Sequence, residues 1–136
     1  MGMAGSRKFG CLYREVGLNP EIPVVCEHAI PVSAMVSLYE AGIPFEELVF
    51  FPVARIARTS DQKFGRLGLT KSGHDLERPF LRYHTAGIEV ETHFGEKISC
   101  KDWSIEDHWN LVDKTPELSN IRQEVMDKLS VDQCTV

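Results

Sequence analysis

The chain predicts an α+β (or α/β) fold: a small mixed sheet, one buried helix after the second strand, and two helices at the C-terminus. Three observations carry that expectation. Residues 21–48, EIPVVCEHAIPVSAMVSLYEAGIPFEEL, read as strand, tight turn, apolar helix and the start of another strand. Residues 79–94 alternate apolar and polar side chains around a glycine-containing turn, the period of a half-buried hairpin. Residues 104–129 carry apolar side chains at helical spacing.

The first strand is expected over Lys8–Val16, with Phe9, Cys11 and Tyr13 on one side, ending at Gly17-Leu18-Asn19-Pro20. Val24, Val25 and Cys26 form a short run rich in β-branched residues, the composition of a strand. Pro31 then suits a first helical turn, because its φ is preset and its missing N–H would have no partner there. From Val32 to Ala41 the polar residues are Ser33, Ser37 and Glu40, a single narrow stripe, which predicts a helix buried over most of its circumference. Gly42 supplies the left-handed stop and Ile43-Pro44 forbids continuation.

Leu48–Ala57, LVFFPVARIA, is the most strand-like run. Pro52 inside it predicts an edge strand or bulge with the proline facing outward. Thr59–Glu77, rich in glycine and hydroxyl residues, reads as a mobile loop with at most a short strand near 64–69. Pro79–His84 and Ile88–Phe94 are the expected hairpin, with Gly87 left-handed in its turn and Ile88, Val90, Thr92 and Phe94 on the core face. Lys97–Lys101 can add a short strand through Ile98 and Cys100. Ser104 with Asp107 forms an approximate capping box before the stripe Ile105, His108, Trp109, Val112. Thr115-Pro116-Glu117 restarts a helix that buries Leu118, Ile121, Val125 and Leu129 and shows a Glu124–Lys128 pair, fraying after Ser130. The organisation is thus a flexible start over 1–7, one α+β domain over 8–130 and a frayed end over 131–136.

The stretch VVCEHAIPVSAMVSLYEAGIPFEEL resembles the opening β-α-β of the glutaredoxin and glutathione-transferase branch of the thioredoxin-like fold. Arg78-Pro79-Phe80-Leu81 is similar to that family's cis-proline strand, and 104–112 to its last helix. The resemblance implies a glutathione-type small-molecule ligand near Pro31, Ser33 and Pro79, with the Ser33 hydroxyl polarising it at the helix N-terminus. The chain departs from the family where chemistry matters: Ile30-Pro31-Val32-Ser33 stands in place of Cys-Pro-x-Cys, so dithiol chemistry is not implied.

At 136 residues with 26% charged side chains the chain fits one ordinary domain. No run approaches the roughly 18 apolar residues of a membrane span, and no signal-peptide core stands at the N-terminus, so a cytoplasmic protein without membrane contact is expected. The cysteines at 11, 26, 100 and 134 contain no CxxC pair, which argues against a redox dithiol or zinc knuckle. Neither a metal nor a cofactor is expected.

The net charge of −5 is uneven: residues 55–82 hold seven basic and three acidic side chains. Arg55, Arg58, Lys63, Arg66 and Lys71 in this segment are the candidate anion-binding set, although GRLGLTKSG does not have the spacing of a phosphate-binding loop. Cys26 and His28, two apart on a strand, share a face and invite zinc or thiolate–base chemistry with His93 or Cys100. A buried Cys26 beside a hydrogen-bonded His28 is the plainer reading. His84 and His93 are expected to face each other across the hairpin, and His108 to pack with a satisfied ring nitrogen.

Three functions follow. The favoured one is a protein-interaction module without a redox-active dithiol that engages a protein partner through the edge strand near Pro52, the basic loop or its acidic flank. The alternatives are glutathione-type ligand binding or transfer at Pro31, Ser33 and Pro79, and anion or nucleic-acid binding through the basic segment, which overall acidity opposes.

Overall fold

A computed structural model describes residues 11–134. Lys8–Gly10 of the expected first strand lie outside the described residues, as do the side chains of Val125, Lys128 and Leu129. The described elements are β1 (Cys11–Glu15), β2 (Val24–His28), α1 (Val32–Glu40), α2 (Phe45–Leu48), β3 (Val53–Ala57), α3 (Arg58–Arg66), α4 (Leu81–Ala86), β4 (Val90–Thr92), α5 (Ile105–Asp113) and α6 (Pro116–Cys134). The class is α+β, with a mixed four-stranded sheet in the order β2-β3-β1-β4. β1 and β3 pair in parallel, and β2 and β4 flank them antiparallel. The segment that carries the thioredoxin-like resemblance therefore folds as strand, helix, short helix and strand, with β2 and β3 antiparallel neighbours.

One face of this sheet packs into the hydrophobic core. Ala54, Ile56, Tyr13 and Thr92 point into the core, each nearly or wholly inaccessible. Phe80 packs edge-on against Tyr13 at 4.6 Å between centroids, and Phe64 of α3 against Tyr83 of α4 at 5.0 Å. On the other side Cys26, Arg14 and His28 reach solvent, and Arg55 and Glu91 are half-buried.

Several elements differ from expectation for identifiable reasons. Helix α1 has no buried residue, so the apolar rod expected at the core is an outer element. Val32, Val36 and Tyr39 are exposed, while Ala34, Met35 and Leu38 are half-buried. Pro52 is fully buried, immediately before β3, and β3 is paired on both sides rather than at an edge. Because Pro52 precedes the first paired residue, its missing N–H costs the ladder nothing, while its carbonyl accepts from Ala29 N–H at 3.0 Å. Leu48–Phe51 accordingly belongs to α2 and the turn after it, not to the strand.

The loop expected over 59–77 begins as α3. Its N-terminus is held by Glu15 of β1, whose carboxylate accepts from Ala57 N–H at 2.9 Å and from Ser60 Oγ at 2.8 Å. A carboxylate at that end complements both the unpaired amides and the helix dipole. The first half of the expected hairpin is helix α4, and Gly87 (φ 73°) is left-handed as expected but caps that helix rather than turning a hairpin. Pro79 leads into this helix, and no cis peptide bond occurs among the described residues. Beyond β4, Lys97 makes one isolated bridge to Glu91 in place of a further strand. Ile88, Val90 and Thr92 are buried as their alternation predicts, whereas Phe94 is 56% exposed.

The C-terminal half follows the sequence closely. Ser104 and Asp107 form a complete capping box, Asp107 N–H to Ser104 Oγ at 3.0 Å and Ser104 N–H to Asp107 Oδ2 at 2.9 Å. Helix α6 starts at Pro116 and continues to Cys134, past Ser130.

Candidate functional site

Two polar networks fix the core. His108 on α5 is 1% exposed and both ring nitrogens are bonded: Nε2 to Phe50 carbonyl at 2.7 Å and Nδ1 to Tyr13 hydroxyl at 2.8 Å. A carbonyl only accepts, so Nε2 carries the proton and Nδ1 accepts from Tyr13, whose oxygen in turn accepts from Trp103 Nε1–H at 3.0 Å. Burial lowers the imidazole to about 4 from its ordinary 6.5, opposed by the Phe50 bond and assisted by Arg122. The ring is a neutral structural link, in line with a packed histidine whose nitrogens are satisfied.

The second network is ionic. Arg82 on α4 is wholly buried, and its Nη2 meets Glu27 Oε2 at 3.0 Å, His28 carbonyl at 2.8 Å and Ala29 carbonyl at 3.0 Å. Nη1 donates to Leu69 carbonyl at 2.9 Å, and the guanidinium lies 4.7 Å from the Phe64 ring centre. Tyr83 hydroxyl donates to Glu27 Oε1, and burial followed by the Glu27 charge drives the phenol well above its usual range. With both Nη atoms bonded to carbonyls or to Glu27 and the guanidinium beside Phe64, this cluster ties α4 and the 67–80 connection to β2, while Arg82 Nε has no partner among the described residues. It has no room for a ligand beside it.

The expected anion-binding set does not converge. Arg55 lies on the open face of the sheet, whereas Arg58, Lys63 and Arg66 belong to α3, which packs on the core face through Phe64, and Lys71 follows it. Lys63 has a structural role: a Cβ on Gly87 would sit 3.8 Å from its ammonium, which places the cation at the carbonyl end of α4. The expected ligand trio lines none of the clefts formed by the described residues. Pro31 and Pro79 are buried, and Ser33 is exposed in the first turn of α1.

The cysteine and histidine groupings resolve into separate places. Cys26 is exposed rather than buried, with its Sγ 2.9 Å from Cys11 Sγ. Cys100 is buried against Ile88 carbonyl, and burial pushes its thiol up to about 11. His93 bonds Thr115 at 3.0 Å, and burial lowers its pKa, assisted by Arg14. His84 is exposed on α4. Among the described residues no three His, Cys, Asp or Glu side chains group as a metal site, and no helix is long and apolar enough to cross a membrane.

What the fold does assemble is an apolar groove of about 490 Å³ between α1 and α2. Val32, Val36 and Tyr39 of α1 and Phe45 and Val49 at α2 are each 47–59% exposed, with Met35 and Phe51 on the floor. Tyr39 and Phe45 meet edge to face at 6.5 Å. The sequence held the signal, since seven of ten residues over 32–41 are apolar. Only the packing distinguishes a buried rod from a presented surface. Compared with known proteins, the chain matches no family model, no curated protein and no solved structure.

Proposed function

We propose that this chain is a protein-interaction module that receives the apolar face of a partner's amphipathic helix in the groove between α1 and α2. The observation that carries this reading is the contiguous exposure of Val32, Val36, Tyr39, Phe45 and Val49. Isolated apolar side chains on a surface are ordinary, whereas a continuous cluster of five large ones marks a contact surface. Val32, Val36 and Tyr39 follow i, i+4, i+7 spacing along one side of α1, and α2 forms the opposing wall, a geometry that accepts a helix. Glu40 and Glu47 stand next in sequence to the lining residues Tyr39 and Leu48, and they favour a partner with basic residues on its polar side. This relocates the docking surface from the expected edge strand near Pro52 to the helix pair before it.

A photoreactive amino acid in place of Tyr39, introduced into the full chain in its source cells, tests the reading. Adducts to a partner through a helical segment are expected, together with their loss in Val36→Glu. Since Val36 is 51% exposed, that substitution changes unfolding free energy by no more than about 0.5 kcal/mol. Adducts indifferent to Val36→Glu would remove the groove from consideration, and adducts to another copy of the chain would make it a self-association surface.

A further inference from the structure

The open face of the sheet carries a charge arrangement that the apolar groove does not use. The strand registers place Cys26 opposite Arg55, Arg55 opposite Arg14, and Arg14 opposite Glu91, so the four side chains form one row across β2, β3, β1 and β4. Directly opposed residues have their Cβ atoms about 5 Å apart, and like charges in that position destabilise a sheet. Arg14 is satisfied by Glu91, through Nε at 3.2 Å and Nη2 at 3.0 Å to the same oxygen. Arg55 forms no ion pair among the described residues. A half-buried guanidinium directly opposite a second one, whose carboxylate partner lies on the far side, is an arrangement that folding alone would not favour.

Arg14 and Arg55 of this row line a cleft of about 580 Å³, a size typical of small-ligand sites. Lys114 adds a third cation from the C-terminal cap of α5. Phe94 and Pro116 supply an apolar wall, and Phe94 is 56% exposed there, fixed edge-on against the His93 ring at 4.0 Å. Glu117 is the one carboxylate lining this cleft among the described residues.

We propose that this cleft binds a small organic oxyanion, a carboxylate or phosphate monoester with an apolar body. Its head lies between Arg55, Arg14 and Lys114, and its body rests against Phe94 and Pro116. The planar fork of Arg55 supplies paired donors to such a head, and a bound anion offsets the repulsion along the row. A long polyanion does not suit the surface: the other basic side chains of 55–82 lie on or beyond α3, and the chain carries a net charge of −5. The cleft shares no lining residue with the apolar groove, so the two assignments stand or fall separately.

The test is an amide chemical-shift titration of the full chain with phenyl phosphate, inorganic phosphate and benzyl alcohol. Phenyl phosphate is expected to give saturable shifts at Arg14, Arg55, Phe94 and Lys114 in the millimolar range or tighter. Inorganic phosphate should move the same amides more weakly, and the neutral alcohol should not saturate. Arg55→Gln should weaken phenyl phosphate roughly tenfold or more, and Lys114→Ala, at an exposed cap, by less. The proposal is overturned if neither anion saturates by about 10 mM, or if both variants bind like the parent chain. Shifts confined to the α1–α2 groove would overturn it equally. If Arg55→Gln does not fold, Lys114→Ala and the phosphate-to-alcohol contrast decide the matter.

Discussion

At the scale of single residues, His108 is where protonation and folding are most tightly coupled. Its imidazole titrates near 4 when folded and near 6.5 when unfolded, so below 6.5 the unfolded chain takes up a proton that the folded chain refuses. Stability tied to the neutral ring is therefore intact above pH 6.5 and lost as pH falls towards 4, a loss of about 3 kcal/mol. Urea unfolding followed across that window should show a falling midpoint. His108→Gln, which cannot titrate, should flatten that limb even though it lowers stability at neutral pH. The role of this residue was legible, because a histidine within the stripe Ile105, His108, Trp109, Val112 has to face the core. Its partners were not, since Tyr13 and Phe50 lie 95 and 58 positions away.

At the scale of elements, what could be read depended on whether a segment's local pattern was long enough to be unambiguous. Helix α5 has a capping box and a full stripe, α6 a proline start, β2 a run of β-branched residues, and β1 and β4 their alternation. All five were recognisable from residue order. Helix α4 is six residues long, too short to separate a period of 3.6 from a period of 2, so LRYHTA looked like half of a hairpin. Helix α3 buries only Phe64, which leaves no stripe to detect. Helix α1 shows the opposite problem: an apolar surface all round predicts burial, and here it is turned outward. Of the basic candidates, Arg55 was reachable from composition, but its pairing with Arg14 depends on a strand register that no local pattern encodes. The Arg82–Glu27 tie between α4 and β2 gives the element-scale prediction. Arg82→Met strands a buried carboxylate and should cost about 3–5 kcal/mol in urea unfolding, and adding Glu27→Gln should return part of that loss.

At the scale of the whole molecule, the elements differ sharply in how much they bury, from the central strand to the outer helix. Strand β3 is paired on both sides and sends Ala54 and Ile56 into the core, whereas α1 buries nothing. Hydrogen exchange under native conditions should therefore find the β3 amides among the last to exchange and those of α1 well ahead of them. Equal protection of α1 would mean that its apolar side is covered in solution. Strand β2 stands at one end of the sheet, and the backbone groups of an edge strand are a template for another strand. Glu27, pointing inward from the middle of that strand, acts as a gatekeeper: it is held by Arg82 and Tyr83, so a neighbouring molecule that tried to extend the sheet would have to bury its own strand beside an ionised group already committed elsewhere. Replacing it with valine would remove that deterrent along with the ion pair, and the chain would become prone to fibrous assembly through that edge.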